Sequence, residues 1–177
     1  MDTKDPFAHP IFEISMNDKP SILIVDDEPD YLEILIDALK DDYRIKVAKN
    51  GGDALKVAKK EKSFNLILLD VLLPDASGYE ICQQLKEDPR TAQIPIIFIT
   101  AVSDVGHEAK GLELGAIDYI AKPFSIPIVK ARIKHHLKRE LYRNHLEELV
   151  TELTTELAKA NSSLNEMILK IKDELRI

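Results

Sequence analysis

Four short apolar runs end on polar residues whose types suit phosphoryl chemistry. Ile22–Val25 leads into Asp26-Asp27-Glu28, Leu66–Leu69 into Asp70, Ile96–Ile99 into Thr100, and Ile117–Ala121 into Lys122-Pro123. A single Asp at such a place ordinarily caps the helix that follows. Three carboxylates brought to one edge do more, because they repel one another unless a cation sits among them, and an oxygen-only set suits a hard ion such as Mg²⁺. That ion takes one or two protein carboxylates and leaves its other positions to water and phosphate oxygens. The pattern therefore reads as a phosphoryl-transfer centre with a divalent metal, not as a structural cage.

The elements that must position these groups are written in the same runs. A further run at Ile45–Ala48 makes five, separated by segments of helical periodicity. The runs are nearly continuous in apolar residues, as expected of parallel strands covered by helices on both faces. The expected fold is α/β: a five-stranded parallel sheet, doubly wound by its helices. Asn50-Gly51-Gly52, Asp88-Pro89, Ser103-Asp104 and Gly115 fall between runs, where turns and caps belong. In such a sheet, functional groups gather at the carboxyl edge beside the point where strand order reverses. Every strand end but the second carries a polar group there.

After Pro127 no further Pro or Gly occurs and strong helix formers dominate. One long helix is expected. Within it Val150, Leu153, Leu157, Ala160, Leu164, Met167 and Ile171 recur at alternating spacings of three and four, the seam of a coiled coil. The expected organisation is a loosely held tail over 1–19, a globular domain over 20–137 and a helical coiled-coil and dimerisation segment over 138–177.

Bulk composition narrows the partners. The net charge of −7 disfavours a general nucleic-acid or anionic-membrane binder. Cys82 is the single cysteine, so the chain forms no internal disulfide and no cysteine metal cluster, which fits a reducing, cytoplasmic setting. No apolar run reaches the roughly 18 to 20 residues that span a bilayer, and the first residues, MDTKDPFAHP, lack a signal-peptide layout. His107, His135 and His136 read as solvated helix residues, and Cys82 as a small helix-face residue. Between Lys130 and Arg143 six Lys or Arg accompany a single acid, Glu140, which reads as a solvated helix face.

From Ser21 to Leu137 the chain resembles the two-component response-regulator receiver family, the CheY-like superfamily. ILIVDDEPD, LILLDVLLPDASGYE, PIIFITA and GAIDYIAKPF carry the resemblance, which implies the flavodoxin-like strand order 2-1-3-4-5. It implies that Asp70 takes phosphate as an acyl phosphate, that Asp27 binds Mg²⁺ directly and Asp26 supports it, and that the backbone carbonyl of Leu72 is a further ligand. It implies also that Lys122 pairs with the phosphoryl oxygens, that the Thr100 hydroxyl bonds one of them after transfer, and that the Lys122-Pro123 bond is cis. Tyr119 stands where this family keeps an aromatic that swings inward when the Thr moves. The physical logic agrees: a carboxylate is a weak nucleophile, but positioning and charge neutralisation suffice, and Asp70 attacks already ionised. Glu28 is expected to point away at the start of its helix.

The reading is then a phosphoacceptor that assists its own phosphorylation and dephosphorylation. It is not an enzyme on outside substrates. Its partners are a sensor histidine kinase or phosphotransfer protein and a second copy of the chain, with no direct nucleic-acid or membrane contact. The signal is expected to pass along the C-terminal helix to an output module outside these residues. The alternative is a stand-alone receiver acting as a scaffold or phosphate sink. A Mg²⁺-dependent phosphohydrolase fits less well, because such an enzyme would carry a second acid two residues after its Asp nucleophile and position 72 is Leu. Leu72 and Val102 are placed to tune hydrolysis of the acyl phosphate.

Overall fold

The computed structural model describes residues 19–60, 64–101 and 105–175, with the side chains of 105–108 left aside. The expected tail (all but Lys19), Val102, the Ser103-Asp104 turn and the His107 side chain lie outside the described residues. The elements run β1 (Ser21–Val25), α1 (Pro29–Leu39), β2 (Arg44–Ala48), α2 (Gly51–Lys60), β3 (Leu66–Leu69), α3 (Gly78–Glu87), β4 (Ile96–Thr100), α4 (Val105–Glu113), β5 (Asp118–Ala121) and α5 (Ile126–Glu174).

All strand pairs are parallel and the order is β2-β1-β3-β4-β5, as the family resemblance implies. β1, β3 and β4 are buried at every residue. Leu23, Val25, Ile67, Leu69 and Phe98 join a core cluster with Ala54 and Ala58 of α2 and Ile81, Cys82 and Leu85 of α3. The alternate residues Ile22, Ile24, Leu66, Leu68, Ile97 and Ile99 face the other way and are buried as well, so both faces of the sheet are dry. β2 departs from the continuous pattern: Arg44 and Lys46 are exposed while Ile45 and Val47 are half-buried. It is an edge strand, where charge guards the open backbone.

Local chemistry sets the helix starts. Pro29 opens α1, where a missing N–H costs nothing. Asn50 Oδ1 accepts the Asp53 N–H at 2.7 Å at the start of α2. Ser77 and Glu80 form a reciprocal capping box on α3.

The chain divides into two compact units, one ending at Ile133 and the other beginning at Lys134. In the first, Val129 and Ile133 of α5 are buried. In the second, α5 continues as helix, and Val150, Leu153, Leu157, Leu164, Met167 and Ile171 are between 48% and 62% exposed. The expected seam is thus an open apolar stripe. His136 is a correction: it is buried, edge-on to His135 with ring centroids 5.2 Å apart, whereas His135 is exposed as expected.

Candidate functional site

Strand register brings the polar ends together. Val25 pairs with Leu69 across β1 and β3, so Asp26 and Asp70 leave the sheet side by side, and the Asp70 N–H donates to Val25 O at 2.9 Å. Thr100 pairs with Ala121, which places Lys122 at the same edge, its N–H donating to Thr100 O at 2.8 Å. β1 is followed in space by β2 on one side and β3 on the other, so this edge is also the point of topological reversal.

There the side chains form one charged cluster. Lys122 Nζ lies 2.7 Å from Asp70 Oδ2, 2.8 Å from Asp26 Oδ2 and 3.0 Å from Glu28 Oε1. Asp70 Oδ1 accepts the Leu72 N–H at 3.1 Å, and Asp26 Oδ1 accepts the Glu28 N–H at 3.0 Å. Asp26, Asp70, Thr100 and Lys122 are buried, while Asp27 is exposed. Asp26, Asp27 and Asp70 can each offer an oxygen within 4.8 Å of the others, a donor set that fits a hard divalent cation. Burial pushes the Asp26 carboxyl above its ordinary value, only partly opposed by the Lys122 and Glu28 N–H bonds. Burial alone would pull the Lys122 ammonium down, but its bonds to Asp26, Asp70 and Glu28 outweigh that and hold it above its usual range. Both groups hold their proton more tightly, for different reasons: loss of solvent at Asp26 and the three carboxylate partners at Lys122.

The structure brings together Asp26, Asp27, Asp70, Thr100 and Lys122, and the Lys122-Pro123 peptide is cis. The Leu72 side chain is exposed, and an isolated bridge ties this residue to Ser77. Tyr119 is buried, its ring 6.2 Å from Phe98, which in turn meets Tyr79 at 5.2 Å. Its side chain is therefore inward, inside the core cluster. Glu28 does not point away: its carboxylate reaches back over the cluster to Lys122. The sequence places it correctly at the cap of α1, but the direction of a side chain with three rotatable bonds follows the field of a cation contributed by β5.

Three further contributors escaped sequence reasoning. Tyr31 lies under Lys122, with Nζ 4.1 Å from its ring centroid, and packs on Phe124 at 5.5 Å. Gly78 lets α3 approach the acceptor strand: a Cβ there would overlap Asp70 O and come within 2.8 Å of the Val71 Cα. Asp75 receives the Gly51 N–H at 2.7 Å on one oxygen and the Gly52 N–H at 2.8 Å on the other, which holds its carboxyl below the usual value and ties the loop after Asp70 to the start of α2. Asp75 and Gly78 both stand in the quoted DASGYE, but their roles, like that of Tyr31, are fixed by neighbours that the motif does not contain. Cys82 is buried, with Sγ 3.8 Å from Leu114 O, and loss of solvent pushes its thiol up to about 11, so it is an inert core residue.

A doubly wound parallel sheet with an acidic pocket and a buried lysine at its carboxyl edge defines a class of phosphoryl-handling α/β domains. The model of the response regulator receiver domain matches residues 22–134, and the chain belongs to that family. A "Probable cyclic di-GMP phosphodiesterase" of Vibrio cholerae is 44% identical over 72% of this chain and 29% of its own length. "Histidine kinase P4" of Formosa agariphila is 40% identical over 70% of this chain and 9% of its own. "Probable transcriptional regulator ycf27" of Porphyridium aerugineum is 43% identical over 66% and 47%. The chain thus spans less than half the length of these curated relatives. Among solved structures, a CheY-like receiver domain protein from Methanospirillum hungatei superposes with a TM-score of 0.66 at 28% identity, covering 71% of this chain and 98% of that one. The BeF3-activated receiver domain of DrrB, a Thermotoga maritima protein, gives 0.62 at 38% identity, covering 68% and 98%. Among the described residues no helix is long and apolar enough to cross a membrane.

Proposed function

We propose that this receiver domain accepts a phosphoryl group on Asp70 in a Mg²⁺-dependent reaction, from a sensor histidine kinase or a phosphotransfer protein, in the cytoplasm. The observation that carries the reading is the 2.7 Å pairing of a buried Asp70 with a buried Lys122 beside two more acids. Asp26, Asp27, Asp70 and the Leu72 carbonyl would hold the ion. When bound, Mg²⁺ neutralises the charge that builds on the phosphoryl oxygens. The chain's own residues do the rest. Asp70, fixed by the Leu72 N–H, presents its carboxylate; Lys122 draws the phosphoryl oxygens; Thr100 donates its hydroxyl to one of them after transfer. Tyr119, packed on Phe98 one strand away from Thr100, then passes the change along β4 and β5.

The output is carried by α5. Its open apolar stripe supports pairing with a second copy as a parallel coiled coil, over the segment 138–177 that follows the receiver at 20–137. Relatives that the chain matches over less than half of their length are named as a phosphodiesterase, a kinase and a transcriptional regulator, which supports a helix that passes a signal to an output module. The same stripe would serve a stand-alone scaffold or phosphate sink by binding a partner protein instead. The decisive experiment is covalent labelling: a small phosphodonor with Mg²⁺ adds one phosphoryl group, located at Asp70 by mass spectrometry. Turnover of many phosphoesters without a stable phosphoprotein would point to the hydrolase instead.

A further inference from the structure

Lys122 has no hydrogen left to give. A lysine ammonium carries three donors, and carboxylate oxygens of Asp26, Asp70 and Glu28 lie within 3.0 Å of its nitrogen, while the Tyr31 ring lies 4.1 Å away. An arriving phosphodonor that needs Lys122 must therefore take one of these places. The three are not equal. The Asp26 and Asp70 side chains are 2% and 3% exposed, and each has its second oxygen fastened to a backbone N–H, from Glu28 and Leu72. The Glu28 side chain is 55% exposed, makes no capping hydrogen bond, and can turn into water at little cost.

We infer that Glu28 is a displaceable counter-ion: it holds Lys122 while the acceptor is free and must leave when a dianionic phosphodonor arrives, so that it sets the rate of phosphorylation and selects among donors by charge. This rests on Asp70 being the acceptor. The transfer itself balances without a proton. With acetyl phosphate, the bond from phosphorus to the bridging oxygen breaks, acetate leaves with the electron pair, and an Asp70 oxygen forms the new bond to phosphorus. Glu28 takes no part in those bonds. Its carboxylate competes with the phosphoryl oxygens for one ammonium hydrogen and repels them from close range, and both effects grow with the negative charge on the donor.

The experiment compares wild type, Glu28→Gln and Glu28→Asp, following phosphorylation with acetyl phosphate and with phosphoramidate, whose protonated nitrogen offsets part of its charge. Mg²⁺ affinity is titrated separately so that rates are compared at saturating metal. Glu28→Gln should react with acetyl phosphate about two- to fivefold faster, the range set by a part-exposed ion pair, and gain less with phosphoramidate. Glu28→Asp, one methylene too short to keep the contact, should also be faster than wild type. An unchanged or slower Glu28→Gln overturns the inference, as does equal acceleration with both donors. A Glu28→Asp protein as slow as wild type would assign the effect to long-range charge and overturn the contact. If wild type is labelled at Asp70 but Glu28→Gln gains nothing, only this inference falls; if wild type is not labelled at Asp70, the phosphoacceptor reading falls with it.

Discussion

Lys122 Nζ and Asp70 Oδ2 are 2.7 Å apart although 52 residues separate them in the chain. β3 and β5 are not neighbours; β4 lies between them, and the contact forms because the lysine side chain spans the carboxyl edge of that strand. The pairing joins the residue proposed to receive phosphate to the last strand of the sheet, just before the Lys122-Pro123 bond and α5.

Asp70→Asn should abolish phosphoryl labelling, because the amide that replaces the carboxylate is neutral and not nucleophilic. The fold should survive, since Asn retains an oxygen for the Leu72 N–H. Intact-mass measurement after treatment with acetyl phosphate and Mg²⁺ reads the result, and labelling equal to wild type would refute the central proposal.

Mg²⁺ binding should weaken about tenfold or more in Asp27→Ala, which loses an exposed carboxylate of the donor set, and less in Glu28→Ala, whose carboxylate faces Lys122 instead. Equal losses would mean that the acids are wrongly assigned. The affinity should also fall on acidification. Because the Asp26 carboxyl lies above its ordinary 3.8, protons compete for that oxygen at a higher pH than for a free Asp, and the loss starts correspondingly earlier. Calorimetric titration over a pH series measures both effects.

Gly78→Ala should destabilise the domain by about 1–3 kcal/mol, because the new methyl group meets backbone that cannot yield without moving the acceptor strand. Urea denaturation gives the magnitude. The residual folded protein should accept phosphate more slowly, since the overlap falls on the Asp70 carbonyl.

Replacing Leu157 and Leu164 together by Asp should give monomers that still take phosphate at Asp70. In the wild type both are exposed apolar residues of the α5 stripe, and a paired helix would bury them; two carboxylates at the seam would face two more across it. Light scattering at micromolar concentration decides the matter. A monomeric wild type, or a variant that remains dimeric, would remove the coiled coil and leave the stripe for another protein.

The sequence by itself determined the strands and the edge at which chemistry gathers. Those features are local: apolar runs of strand length, turn residues such as Asn50-Gly51-Gly52 and Gly115 between them, and polar residues placed where each run stops. Doubly wound topology then leaves little freedom, since parallel strands of matched register must deliver Asp26, Asp70, Thr100 and Lys122 to one side. Tertiary structure alone decided where long side chains turn and which small residues are squeezed. Glu28 faces Lys122 because a cation 94 residues away lies within its reach, Tyr31 covers that cation from below, and Asp75 clasps an α2 start 24 residues earlier. Such contacts join elements that share no sequence period, and their direction follows from the packed neighbours and the local field, neither of which exists until the sheet has closed.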